Sequence, residues 1–178
     1  GFDRLVALDP HEIQVGILKR LRGAPIDRHT LDFDCRYNPQ PPYNLLCSAL
    51  LDFATMRRLE RFARYWDLIG NSGRFRHSRP LLLGDDPFGR FMALSDWLFA
   101  TTEQTHQFAV ERLFDLVYRG LTEVLGVAEI TARAALTEDY RSGGIKGCPA
   151  FLRPNPPAEN RGQSSKIAAV PIRQARHR

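Results

Sequence analysis

The sequence predicts a mainly α-helical fold, a helical bundle preceded by one or two short β segments. Apolar residues recur at helical spacing from residue 52 to residue 140, and only Phe2–Leu8 and Ile13–Leu18 have the apolar pattern of strands. The 178 residues are 43% hydrophobic and 25% charged, which suits one globular domain with a sizeable core.

The two predicted strands stand at the start of the chain. One or two strands do not form a stable sheet alone, so we expect their partners to lie outside this sequence. Ile13–Leu18 should then either fray or pair with the same strand of a second copy, giving a strand-paired homodimer. The chain opens at Gly1, inside the first predicted strand and without Met, which indicates a piece of a longer protein.

A polar, turn-rich segment follows and leads into the helices. Asp27–Pro42 ends in dense prolines, which exclude a helix and predict an extended connection between two structural units. Asp52 is the expected N-cap of the first helix, and the residues Gly70–Gly73 should stop it. Its apolar stripe contains Met56, Leu59, Phe62, Ala63, Trp66 and Ile69.

Four further helical segments are predicted after this stop. Arg74–Leu83 should form a short helix broken near Pro80, and Asp86 should cap the next helix with Pro87 in its first turn. The inner face of that helix should contain Phe88, Phe91, Met92, Ser95, Leu98 and Phe99. The clearest apolar periodicity runs over Thr105–Leu125, which we expect at the centre of the bundle, and Val127–Tyr140 should form the last helix.

The net charge of +5 does not favour a nucleic-acid-binding face. Residues 153–178 carry six basic groups and one acid, so the whole excess lies in this basic tail, which we expect to be ordered, if at all, only by docking. Within the neutral body, residues 53–79 have seven arginines against two acids, whereas residues 81–140 have ten acids against four arginines. We expect these segments to pack together and compensate each other.

No motif in the chain predicts catalysis or metal binding. Cys35, Cys47 and Cys148 lie 12 and 101 residues apart, which matches no zinc or iron–sulfur spacing and indicates reduced thiols. His11-Glu12 lacks the second histidine of a zincin, because Val15 stands at that position. No apolar run approaches the ~20 residues of a membrane span, and no leader opens the chain, so we expect a cytoplasmic location without membrane partners.

Several pieces of the sequence, in order, resemble one family. The segment HEIQVGILKRLRGAP (His11–Pro25) is similar to the last strand and exit loop of the radical SAM domain in cobalamin-binding radical SAM proteins. The rest resembles a domain of unknown function that closes many of those chains. The matching pieces are PPYNLL (Pro41–Leu46), RRLERFARYWDLIGNSGRF (Arg57–Phe75), PFGRFMALSDWLF (Pro87–Phe99), EDYRSGG (Glu138–Gly144) and RQARH (Arg173–His177).

The resemblance implies a domain division. Residues 1–28 would end a radical SAM partial barrel and contain the β segments, residues 29–42 would form the extended connection, residues 43–152 the helical domain, and residues 153–178 the tail. In such proteins a Rossmann-like domain binds cobalamin, and the partial barrel binds a [4Fe–4S] cluster and S-adenosylmethionine. The three cysteines here cannot supply the CxxxCxxC motif of that cluster, so we expect this piece to bind no cofactor and to be non-catalytic, although its parent would be an enzyme.

The expected function is therefore that of an accessory domain, which covers the barrel opening of its own parent chain and shapes substrate or partner access. The alternative is a nucleic-acid-binding or protein-interaction module that uses the Arg-rich helix and the basic tail. Tyr65-Trp66 beside Arg64 could stack a planar ligand, but core packing of Trp66 is favoured. The candidate interface or substrate-side residues are Arg64, Tyr65, Asn71, Arg74, Tyr140 and Arg141.

Overall fold

The computed structural model describes residues 1–23, 25–145 and 147–153. Over these ranges the chain is mainly helical, as predicted, with one short two-stranded antiparallel sheet before the main helices. The α-helices are α1 (Phe2–Ala7), α2 (Phe53–Tyr65), α3 (Arg79–Leu83), α4 (Pro87–Thr102), α5 (Val110–Arg119) and α6 (Glu129–Ser142). The strands are β1 (Arg36–Tyr37) and β2 (Leu45–Cys47), and short 3₁₀ turns cover Pro25–His29 and Ala150–Leu152.

The first predicted strand, Phe2–Leu8, is wrong, because these residues form α1. The segment contains one β-branched residue, and Asp3 in the first turn favours a helix N-terminus. Phe2 and Val6, four residues apart, share one helix face and pack against the apolar core. Helical spacing therefore packs Phe2 and Val6 against the core and leaves Leu5 and Leu8 exposed.

The second predicted strand, Ile13–Leu18, is extended but belongs to no strand ladder. Its end finds a partner within the chain, since the Leu45 N–H donates to the Leu18 carbonyl at 2.8 Å and the Arg20 N–H to the Tyr43 carbonyl at 3.0 Å. Lys19 forms an antiparallel bridge with Asn44. The expectation that all its partners lie outside the sequence is thus wrong at this end.

The sheet lies at the end of the polar segment and just after it. Arg36 pairs with Cys47 and Tyr37 with Leu45, with an irregularity between the two pairs. Residues 18–20 lie beside the chain around β2, on the side that does not pair with β1. Three short extended segments therefore lie side by side there. The β segments that precede the helices therefore pair within this chain. The division of residues 1–28 and 29–42 into separate units of a longer protein stays a prediction.

Helix α2 begins as predicted. The Asp52 carboxylate accepts a hydrogen bond from the Thr55 N–H at 2.7 Å, and this bond lowers the pKa of Asp52. The helix continues as a π-helical turn over Trp66–Gly70 and stops there, and Gly73 adopts a φ of 70° that favours glycine. Trp66 is 1% exposed, which confirms core packing.

Helices α3 and α4 each have a proline in the first turn, and α4 also has an aspartate N-cap. Pro80 lies in the first turn of α3 and begins this helix, so the predicted break at this residue is wrong. Asp86 caps α4 as predicted, accepting from the Gly89 N–H at 3.1 Å. Its fully buried residues are Phe91, Leu94, Ser95 and Leu98, so the predicted inner face omitted Leu94 and included Phe88, which is 37% exposed.

The predicted helix Thr105–Leu125 begins later than expected, at Val110. The residues before it include Glu103 and Gln107 at positive φ, which is incompatible with a continuous helix. Helix α5 then continues as a π-helical turn over Gly120–Val124, and Gly126 ends it at a φ of 67°.

Helix α4, and not α5, occupies the central position. It packs against α1, α2, α3 and the π-helical turn that follows α5. A Cβ on Gly120 would lie 2.3 Å from a methyl carbon of Leu94, so glycine lets this turn approach α4 closely. One ion pair of the predicted charge compensation is present between α2 and α4, where the Arg58 guanidinium donates to both Asp96 oxygens.

Helix α6 ends at Ser142, two residues later than predicted. The predicted basic tail, beyond Arg153, lies outside the described residues. Of the helices in the described ranges, none has the length and apolar character needed to cross a membrane.

Candidate functional site

The N-terminal segment is attached to the helical domain by a clamp on the backbone of Ile13. The Asn71 side chain donates to the Ile13 carbonyl at 3.0 Å and accepts from the Ile13 N–H at 3.2 Å. The Trp66 indole N–H donates to the same carbonyl at 2.9 Å. Asn71 thus pairs with Ile13 as a neighbouring strand would, and the Ile13 side chain is 4% exposed in the common core.

The π-helical turn at the end of α2 places both clamp residues. The Asn71 N–H bonds back to the Trp66 carbonyl at 3.0 Å, so both residues belong to one wide turn. Gly70 lies directly against the indole, since a Cβ there would be 2.6 Å from ring carbons of Trp66. A second hydrogen bond, from the Asn71 amide to Asp67 at 3.1 Å, fixes which way the amide points.

Helix α1 adds a second attachment. The Phe2 ring meets Trp66 edge to face at 4.7 Å and Phe62 at 5.1 Å between centroids. The Asp3 carboxylate accepts from the Phe88 N–H at 2.8 Å, which satisfies a free donor at the start of α4. The first residues of the chain therefore share the aromatic core of the helical domain.

We expect Asn71→Ala to release the Ile13 segment while the helical domain stays folded. The variant loses two hydrogen bonds to half-buried backbone groups, so the free energy of unfolding should fall by about 1–2 kcal/mol. Amide hydrogen exchange should speed up at Ile13 and not in α4. Arg74→Ala, which removes an exposed side chain three residues further on, is the matched control; equal exchange at Ile13 in both variants would contradict the clamp.

The six predicted site residues do not share one site. Tyr65 and Tyr140 belong to the core, at 0% and 6% exposure, and Arg74 and Arg141 are exposed at the surface. Asn71 forms the clamp, and Arg64 lines a separate cleft along α2.

Tyr65 and Tyr140 both have partners within the folded chain. Burial raises the pKa of the Tyr65 hydroxyl, which stays protonated and donates to the Gln104 carbonyl at 2.5 Å. Tyr140 meets Phe114 edge to face at 5.0 Å. Both side chains therefore lie in the core, and their role as interface or substrate-side residues stays a prediction.

Sequence analysis missed a buried carboxylate, Asp139. It is 1% exposed and accepts from the Ser78 hydroxyl at 2.6 Å, the Ser78 N–H at 2.9 Å and the His77 N–H at 2.6 Å, and it lies 3.0 Å from the His77 Nδ1. These bonds satisfy donors at the start of α3. The only available sequence signal was an acid on the apolar side of α6.

Ser78, His77 and Asp139 do not form a nucleophile triad. A triad needs the serine hydroxyl to donate to a histidine that the carboxylate orients. Here the Ser78 hydroxyl donates directly to Asp139, and Ser78 is 0% exposed, so a substrate cannot reach it. The group is a structural link between α6 and α3.

The described residues include all three cysteines and other side chains that can bind metals. Cys35, Cys47 and Cys148 are free, and Cys148 is exposed. Within the residues described, His, Cys, Asp and Glu side chains form no cluster of three or more that could hold a metal ion.

The fold and the clamp define a class of protein, a small helical domain with its preceding chain segment packed onto it. Residues 31–174 match a family described as "Protein of unknown function (DUF4080)", and the chain belongs to this family. The match confirms the predicted domain of unknown function; it begins after residue 30 and does not itself connect the chain to radical SAM proteins. No curated protein and no solved structure matches the chain significantly.

Proposed function

We propose that the chain is the non-catalytic C-terminal accessory domain of a cobalamin-binding radical SAM enzyme. In this proposal it covers the opening of the partial barrel and shapes the access of substrate or partner. The support from the sequence is the ordered resemblance described above, in which His11–Pro25 is similar to the last barrel strand. These residues precede the part of the chain that matches the family.

The observation that carries the proposal is a group of exposed apolar side chains in the N-terminal part of the chain. Among the described residues, nine of the eleven large hydrophobic side chains that are exposed belong to the first 53 residues. We call these nine the N-terminal apolar surface: Leu5, Leu8, Leu18, Leu21, Leu31, Phe33, Tyr43, Leu50 and Phe53. The helices beyond α2 contribute only Phe88 and Ile130 in the same ranges.

Such an uneven distribution favours a covered surface. Single exposed apolar residues are common on any protein, but a concentration of them marks a contact with another protein surface. Leu31 is 93% exposed and Leu50 is 85% exposed, so covering these side chains removes a large apolar area from water. A barrel preceding residue 1 in the same chain would be next to this surface.

The extended segment adds a second support. Within the described ranges, the backbone groups of Gln14–Ile17 make no hydrogen bond, although the residues on both sides do. Backbone donors and acceptors of this kind are satisfied by a neighbouring strand or by water. A barrel strand beside Gln14–Ile17 would supply these partners.

The cofactors of the proposed parent would not be bound by this domain. The [4Fe–4S] cluster needs three closely spaced thiolates, and Cys35, Cys47 and Cys148 are too far apart in the sequence to supply that motif. In the proposal, the cluster, S-adenosylmethionine and cobalamin are held by preceding domains. A cytoplasmic location, where thiols stay reduced, belongs to the same proposal.

The first test of the proposal is the sequence encoded before Gly1. We expect a CxxxCxxC motif there, and a preceding domain without one would contradict the assignment to a radical SAM parent. The second test uses the complete parent chain. Leu31→Asp and Leu50→Asp should loosen the contact with the barrel and speed proteolysis within residues 29–42. Ile130→Asp, at a side chain 81% exposed on α6, is the matched control.

The alternative, a nucleic-acid-binding module, makes a different prediction. It requires affinity for RNA or DNA that falls steeply with salt, because binding would release counterions from the phosphates. Binding of this kind would favour the alternative, whereas unchanged proteolysis in both surface variants would remove the support for a barrel contact.

The strand-paired homodimer remains a prediction for the isolated chain. Its test is Val15→Pro, which removes a backbone N–H that makes no hydrogen bond within the described residues. The variant should therefore lose any dimer in sedimentation and keep its helical circular dichroism. A dimer that persists would place the interface on the helices and favour a partner-binding role for them.

A further inference from the structure

A cleft lies between α2 and the extended segments that precede it. Its walls are residues 15–19, the chain around β2 and one side of α2, and its volume is about 710 Å³. Ligand-binding clefts in proteins have volumes of this order. One part of the wall is apolar, with Val15, Ile17 and Leu46.

The cleft is also lined by more cations than carboxylates. Arg57, Arg61 and Arg64 recur at helical spacing along α2, and Lys19 lines the cleft from the extended segment. The carboxylates that line it are Glu60 and Asp67.

Only Glu60 is paired with a cation, and Asp67 keeps its charge, so four cations against two carboxylates leave an excess of two positive charges in the cleft. Glu60 accepts from Arg57 at 2.5 Å, and Asp67 accepts from the Asn71 amide at 3.1 Å. Among the described residues, Lys19, Arg61 and Arg64 have no carboxylate partner. Uncompensated cations in a cleft concentrate the positive potential there.

The Arg61 guanidinium has one buried N–H that finds no hydrogen-bond acceptor within the described chain. This N–H is the one on Nε, and the guanidinium lies over the Phe99 ring at 4.4 Å. A cation that has lost part of its hydration attracts an anion more strongly than one in water. The aromatic ring fixes the guanidinium plane, so little rotamer entropy is lost when an anion binds.

We propose that this cleft binds a small organic anion, a carboxylate or phosphate compound with an apolar portion. Arg61 and Arg64, three residues apart on α2, would hold the anionic group, and Lys19 would approach it from the other wall. Val15, Ile17 and Leu46 would contact the apolar portion. The neighbouring Arg57 and Arg58 are neutralised by Glu60 and Asp96, so the positive charge is local to the cleft, which favours a small ligand over a polynucleotide.

The test is calorimetric titration of the complete chain with two probes, inorganic pyrophosphate and citrate. Saturable one-to-one binding of either supports the site, and the tighter probe identifies phosphate or carboxylate as the recognised group. Arg64→Gln and Lys19→Gln should each weaken binding about tenfold, the loss of one charge-assisted contact. Both side chains are exposed and unpaired in the described structure, so neither change should affect folding.

Arg141→Gln is the matched control, because it removes the same charge from an exposed position on α6, away from the cleft walls. It should leave the affinity unchanged. Failure of both probes to bind saturably would overturn the proposal. An equal loss of affinity in Arg141→Gln would also overturn it, because attraction to the overall positive charge would then explain the binding.

Discussion

Replacing Asp139 with alanine should lower the free energy of unfolding by about 3–5 kcal/mol. The carboxylate is the common acceptor for the Ser78 hydroxyl, the Ser78 N–H and the His77 N–H. Each buried donor left without a partner costs about 1–3 kcal/mol. The loss should appear as a lower midpoint of urea unfolding at an unchanged slope.

Neighbouring variants separate this role from a general effect of charge. Glu138→Ala removes an exposed carboxylate from the adjacent position on α6 and should change stability by less than about 0.5 kcal/mol. Ser78→Ala removes only the hydroxyl donor and should cost less than Asp139→Ala. If Asp139→Ala destabilised the chain no more than Glu138→Ala, the link between α6 and α3 would have no energetic importance.

Phe114→Ala should lower the free energy of unfolding by about 3–5 kcal/mol. The ring is fully buried, and it meets the rings of Phe75 at 4.5 Å and Tyr140 at 5.0 Å between centroids. Truncation leaves a cavity between α5, α6 and the segment before α3, which other side chains cannot fill without moving helices.

Two further variants in α5 test the same helix. Leu113→Ala, at 3% exposure, should cost roughly 2–5 kcal/mol, whereas Arg112→Ala, at an exposed position, should have little effect. Chemical denaturation followed by tryptophan fluorescence measures all three. A loss below about 1 kcal/mol in both core variants would show that α5 is peripheral to the core.

The positions and caps of the main helices could be predicted from local signals. Asp52 and Asp86 cap their helices because a carboxylate that follows extended backbone reaches the N–H groups of the next turn, whatever the rest of the chain does. Burial of Trp66 also followed from spacing, because it lies on the apolar stripe of α2.

The start of the chain could not be predicted in the same way. Short apolar segments such as Phe2–Leu8 satisfy either a helix or a strand, and the choice depends on what they contact. Phe2 meets Trp66 and Phe62, which are sixty or more residues away in sequence, and this contact favours the helix. The apparent need of Ile13–Leu18 for an external partner was likewise met in part by Asn71 and by Leu45.

The candidate sites show the same division. The sequence alone determined the mainly helical class, the helix caps and the segregation of charge. It also placed Asn71 and Arg64 among the six candidate interface or substrate-side residues. Only the tertiary structure decided what these residues contact, because their partners are remote: Asn71 holds Ile13, whereas Arg64 lines a cleft that Lys19 lines from the other wall. Asp139 had only a weak local signal, an acid on the apolar side of α6, since its hydrogen-bond donors lie more than sixty residues earlier and meet it only after α3 and α6 pack together.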